Sequence, residues 1–116
     1  MSRTITREEL RIKLSSASRP LLVEALPEKY YAAKHLPGSL HLPHDQVDAL
    51  AAGLLPQKSA EIVVYCANRQ CQNSHFAAHR LSVLGYTNVS VYAGGKQDWE
   101  EAGLPFESTA EAAITA

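Results

Sequence analysis

Three short apolar runs constrain this chain most: Leu21-Leu22-Val23, Ile62-Val63-Val64-Tyr65 and Val89-Ser90-Val91-Tyr92. A run without polar alternation suits a strand buried on both faces, and such strands belong to parallel sheets covered by helices. Helical signals fill the intervals. Thr6-x-x-Glu9 has the pattern of a capping box, and Leu10 and Leu14 follow at one-turn spacing, which predicts a helix over about 6–15. Residues 15–20 break it. Pro27 suits the first turn of a short helix through Ala33, and Ser39-Leu40-His41-Leu42 reads as a short strand ended by Pro43. Asp45 is the expected cap of a helix presenting Val47, Leu50, Ala51 and Leu54, and Ser74 of a helix ending at Gly85. Gly94-Gly95 turns into a helix that holds Trp99 and stops at Gly103. Strands alternating with helices imply an α/β domain whose central, mostly parallel sheet is flanked by helices.

The chain's 116 residues fit one domain, 1–116, with a core of about 6–106 and a small, polar tail, 108–116, expected to fray. Eleven Lys and Arg against twelve Asp and Glu give a net charge of -1, no footprint for nucleic acid or an anionic membrane. No apolar run approaches the roughly 20 residues that span a bilayer. Glu8 and Glu9 stand where a signal peptide would be apolar, so a cytoplasmic location is expected. Two Cys are too few for a disulfide scaffold; in a reducing compartment such thiols are reactive or ligating.

Cys66 directly follows the strongest strand. Parallel α/β sheets place ligand sites at the carboxyl ends of strands, beside helix N-termini. Backbone N–H groups of a tight loop and the dipole of the next helix favour an anion there, hence thiolate over thiol. Free Cys is otherwise often a small buried hydrophobe. The polar loop Ala67-Asn68-Arg69-Gln70-Cys71-Gln72-Asn73, with its cation, favours the reactive reading.

The wider sequence resembles the rhodanese-like sulfurtransferase family. Leu22-Val23-Glu24-Ala25-Leu26-Pro27-Glu28-x-Tyr30-Tyr31 is similar to that family's opening motif, and residues 35–43, His-Leu-Pro-Gly-Ser-Leu-His-Leu-Pro, to its HIPGAIxIP segment. Ile62-Val63-Val64-Tyr65-Cys66 is similar to the strand that delivers the catalytic Cys. Ala77-Ala78-x-x-Leu81, Gly85-Tyr86-x-Asn88-Val89 and Gly94-Gly95-x-x-x-Trp99-x-x-Ala102-Gly103-Leu104-Pro105 complete the series. The resemblance implies a three-layer rhodanese-like fold and sulfur transfer from a donor such as thiosulfate to a thiophilic acceptor. The carrier would be a Cys66 persulfide, without cofactor or metal. Backbone N–H groups of Ala67, Asn68, Arg69, Gln70, Cys71 and Gln72 would form the anion cradle, Arg69 adding charge, with Glu24 supporting the loop. The loop departs from the family's Cys-x-x-Gly-x-Arg-Ser: Arg69 stands at the Gly position, Cys71 at the Arg position and Gln72 at the Ser position. Glu24 stands where Asp is usual.

Four other readings compete. A Cys-x₅-Arg phosphatase or arsenate reductase needs a guanidinium clamp, and Gln72 occupies that place. A thiol-redox or peroxide-protective role would pair Cys66 with Cys71 as resolving thiol. That requires the loop to fold back until the Cα atoms lie within about 7 Å, and a bystander Cys71 is the preferred reading. Cys66-x₄-Cys71-x₃-His75-x₃-His79 offers four zinc ligands, but His75 and His79 fit a solvated helix face with Ser82, opposite Ala77, Ala78, Leu81 and Leu84. A catalytically idle binding module would be expected to lack the Cys. His35, His41 and His44 read as turn or surface residues and Trp99 as a core anchor. Donor, acceptor and oligomeric state do not follow from the sequence.

Overall fold

A computed structural model describes residues 3–108 of the chain. Ten elements alternate strictly: β1 (Arg3–Ile5), α1 (Arg7–Ser15), β2 (Leu21–Glu24), α2 (Glu28–Ala33), β3 (Leu40–His41), α3 (Val47–Leu54), β4 (Ile62–Tyr65), α4 (Asn73–Val83), β5 (Val89–Tyr92) and α5 (Gly95–Glu101). The strands form one sheet in the order β1-β5-β4-β2-β3, and every pairing is parallel. β4, the most apolar strand, lies at the centre. All four of its residues are buried.

The two faces of the sheet split its side chains between two cores. Val23, Ile62, Val64 and Val91 pack with Val47, Ala51, Ala77, Ala78 and Leu81 of α3 and α4. Leu22, Val63, Tyr65 and Tyr92 pack with Leu10 of α1 and Trp99 of α5. Period-two alternation within each strand thus gives each helical layer its own apolar surface, producing three layers. Trp99 is 5% exposed, and its Nε1 donates to Pro105 O at 2.8 Å, so the ring anchors the turn after α5 as well as the core.

Local chemistry matches several sequence expectations in detail. Thr6 caps α1: Glu9 N donates to Thr6 Oγ1 at 3.1 Å, and Thr6 N to Glu9 Oε1 at 2.9 Å. Four expectations change. β1 was not foreseen. Gln46, not Asp45, is the N-cap of α3, without a side-chain bond. Gln72, not Ser74, precedes α4, which leaves Ser74 buried in its first turn. His35 is buried at 6% exposure rather than superficial; its Nδ1 lies 2.7 Å from Tyr31 O, and its ring stacks on Tyr31. Of the tail expected to fray, Ser108 donates through Oγ to Ala32 O at 3.1 Å. Residues 109–116 lie outside the described residues.

Candidate active site

Parallel register brings the carboxyl ends of all the strands to one edge. Ile5, Tyr92, Tyr65, Glu24 and His41 form its last row, and Cys66 follows directly. In a strand, successive side chains alternate faces. Tyr65 accordingly joins the α1 and α5 side, while the Cys66 thiol meets Ser74 of α4, Sγ to Oγ at 3.3 Å.

The loop after Cys66 is folded tightly on itself. Asn68 Oδ1 accepts from Gln70 N at 3.1 Å and from Cys71 N at 3.0 Å, and Asn68 O accepts from Cys71 N at 3.2 Å. This side-chain-supported turn reverses the chain and brings Cys71 O to 3.4 Å from Cys66 Sγ, positioned to accept from the thiol. Two of the six expected cradle amides are therefore committed to Asn68. Arg69, Gln70 and Gln72 are exposed, whereas Ala67, Asn68 and Cys71 are half-buried.

These contacts reverse the expected acidity of the nucleophile. Cys66 is 1% exposed, and burial, assisted by the Cys71 side chain and opposed by Ser74, pushes its thiol up to about 11. A carbonyl facing Sγ stabilises the thiol, the opposite of what a ring of N–H donors would do. Two outcomes follow for the folded loop. Alkylation of Cys66 should accelerate about tenfold per pH unit through pH 9 without a plateau, because only the thiolate reacts. Asn68→Ala should release the Gln70 amide and leave that of Cys71 only its bond to the residue-68 carbonyl, lowering the thiol pKa and speeding alkylation at neutral pH several-fold. Rates of iodoacetamide labelling against pH check both; a plateau below pH 8 in the parent would contradict the first.

In the structure Arg69 lies on the side of Tyr92 and Asp98. It lines a cavity of about 140 Å³ with Arg7, Tyr92, Gly94 and Asp98, and another of about 180 Å³ with Gln70, Gln97 and Glu101. Cys66 lines neither. The positive charge of Arg69 acts on the Tyr92 hydroxyl, which donates to Asp98 Oδ2.

The opposite wall is α5. Lys96 N donates to Cys66 O at 3.0 Å and Gln97 N to Ala67 O at 2.9 Å, so the start of the helix holds the backbone of the nucleophile. Gly95 permits this approach. It has φ +64, and a Cβ there would lie 2.4 Å from Cys66 O. Lys96 Nζ reaches beneath the loop to Glu24 Oε2 at 2.8 Å and to Tyr30 O at 2.9 Å. Glu24, fully buried, also accepts from the Tyr65 hydroxyl at 2.8 Å. That hydroxyl lies 3.0 Å from Ser39 Oγ and accepts from Leu36 N at 3.1 Å. Burial raises the Glu24 pKa and lowers that of Lys96, each opposed by the other partner. Glu24 thus ties β2, β4 and α5 together beside Tyr65, the residue before Cys66.

Lys96, Ser74, Tyr65 and Gly95 were not singled out as site residues. Ser74 read as a cap. Asn68 carried a legible signal, since Asn commonly bonds backbone groups two or three residues on. His75 is half-buried and His79 exposed. Among the described residues, no group of three or more His, Cys, Asp and Glu is arranged to hold a metal ion.

A fully parallel three-layer sheet with a cysteine at the carboxyl end of its central strand, in a tight loop before a helix, defines a class of cysteine-centred α/β domains. The chain belongs to the rhodanese-like domain family, which residues 6–102 match. Sulfurtransferases are among its relatives. It is 30% identical over 106 residues to an HTH-type transcriptional regulator of Mycobacterium tuberculosis, covering 91% of this chain and 45% of that protein. It is 29% identical over 94 residues to the thiosulfate:glutathione sulfurtransferase of Saccharomyces cerevisiae, covering 72% of this chain and 66% of that one. A human single domain sulfurtransferase superposes with TM-score 0.74 at 26% identity, covering 87% of this chain and 97% of that one. The chain spans less than half of the regulator and just under two thirds of the yeast enzyme. Among the described residues, no helix is long and apolar enough to cross a membrane.

Proposed function

We propose that the chain is a sulfurtransferase that carries sulfane sulfur on Cys66. The Cys66 thiolate attacks the outer sulfur of a donor such as thiosulfate, the donor's S–S bond breaks, and sulfite leaves with the electron pair. The resulting persulfide passes its terminal sulfur to a thiophilic acceptor in a second displacement. The position of Cys66, at the end of the central strand in a rhodanese-like domain, is the observation that carries this reading. Of the loop amides from Ala67 to Gln72, those that the Asn68 turn leaves free cradle the terminal sulfur, and Arg69 draws anionic donors to the mouth of the loop. Glu24 supports the loop from below. The chain acts as one rhodanese-like unit with its folded core over 6–106, in a reducing, cytoplasmic setting that keeps both thiols free.

The test is incubation with thiosulfate and, separately, with a neutral persulfide donor, followed by mass analysis of the intact protein and its Cys66 peptide. The expected result is one sulfite released per sulfur loaded from thiosulfate, with that sulfur found either on Cys66 or as released sulfide. A protein that neither gains sulfur nor releases sulfide or sulfite with either donor would overturn the proposal.

A further inference from the structure

We propose that Cys71 is the resolving thiol of the Cys66 persulfide, so that the loop releases sulfide by closing a Cys66–Cys71 disulfide and is reset by a dithiol reductant. The inference rests on the persulfide reading above and names the acceptor class of that same site. Its basis is the loop geometry. A five-residue separation allows two cysteines to meet only if the chain reverses between them, and the Asn68 turn makes that reversal. Cys71 O lies 3.4 Å from Cys66 Sγ, so the turn sets the Cys71 backbone against the sulfur it would join. Both cysteines are free, with Cys66 buried and Cys71 half-exposed. An external acceptor therefore meets Cys71 before it meets Cys66.

The step balances as follows. The Cys71 thiolate attacks Cys66 Sγ, a new S–S bond forms between the two residues, and the bond from Cys66 Sγ to the terminal sulfur breaks. The terminal sulfur leaves with the electron pair as hydrosulfide and takes up the proton lost by Cys71. The dithiol then reduces the intraloop disulfide, returning two thiols to the protein and leaving as a cyclic disulfide. With thiosulfate as donor, one thiosulfate and one dithiol give sulfite, hydrogen sulfide and one disulfide.

Leaving-group chemistry selects the inner sulfur as target. Attack on the terminal sulfur would expel the Cys66 thiolate, which burial disfavours as an anion. Hydrosulfide, the anion of a stronger acid, leaves faster. Burial of Cys66 thus slows loading but directs resolution.

The experiment loads the parent chain and Cys71→Ser anaerobically with thiosulfate, removes the donor, and follows mass and sulfide with no acceptor added. The parent should release sulfide and become two hydrogens lighter than the reduced protein, with Cys66 and Cys71 joined in one peptide. Cys71→Ser should instead hold its extra sulfur and release sulfide at least about tenfold more slowly. Dithiothreitol should restore both thiols in the parent and permit a second loading. A parent that keeps its persulfide while Cys71 stays alkylatable, or a variant that releases sulfide as fast as the parent, overturns the inference and leaves the persulfide reading standing. Absence of added sulfur in the variant, with no disulfide in the parent, overturns both.

Discussion

Cys66→Ser should abolish persulfide formation and lower kcat/KM for sulfur transfer by at least about a thousandfold, roughly 4 kcal/mol of transition-state stabilisation. A hydroxyl is far less acidic than a thiol, and its oxygen cannot carry a second sulfur as a stable persulfide. The neighbours provide no substitute. Ser74 Oγ is itself a hydroxyl, and Cys71 presents its carbonyl to the same point. The fold should survive, because a serine hydroxyl fits the Cys66 site and finds both of those oxygens as hydrogen-bond partners. Thermal unfolding should therefore change by no more than about 1 kcal/mol while activity vanishes. Mass analysis after thiosulfate, run beside the melt, separates the two effects. Sulfur retained by this variant would move the nucleophile to Cys71.

The way this loop is held shows what the chain declares locally and what it does not. β2, β4 and β5 were legible because apolar runs record burial on two faces within four residues. β1 was not. Arg3 and Thr4 are exposed, and only Ile5 reaches the core. The capping box of α1 was legible because both of its bonds lie within four residues. Ser74 misled, because a serine at the head of a helical segment scores as a cap wherever its hydroxyl points; here it turns inward to the thiol. The position of Cys66 followed from the order of strands and helices, but its acidity did not. The position implies donors around an anion, whereas the folded loop presents a carbonyl and spends two amides on Asn68. The Glu24–Lys96 pair lay furthest from view. Gly94-Gly95-Lys96-Gln97-Asp98 has the composition of a solvated turn, and only the parallel register sets Glu24 below it.

That pair carries the largest expected effect on stability. Glu24 is fully buried and the Lys96 side chain is 9% exposed, so neither end can turn to solvent without moving α5. Glu24→Ala leaves a buried ammonium with Tyr30 O as its remaining partner and removes the carboxylate that accepts from the Tyr65 hydroxyl. Removing one member of a buried pair costs about 3–5 kcal/mol, a fall in Tm on the order of 10–20 °C for a domain of this size. Desolvation pushes the Glu24 pKa up and that of Lys96 down, against their mutual attraction, and taking two charges out of water offsets much of what a buried pair gains. The net stability of the intact pair is therefore small, and its large apparent value is the penalty for orphaning one charge. A second substitution tests this. Glu24→Leu with Lys96→Met removes both charges at similar volume, and Tyr65 keeps Ser39 Oγ and Leu36 N as partners. The double variant should regain most of the lost stability, with a coupling of 2 kcal/mol or more, about half the single-variant cost. Because Lys96 N still donates to Cys66 O, the double variant should also hold the nucleophile in place. Denaturant unfolding of the parent, Glu24→Leu, Lys96→Met and the double variant closes the cycle, with Glu24→Ala measured beside them. Additive losses would show that each charge is anchored independently, and that Glu24 does not act through Lys96 on the Cys66 loop.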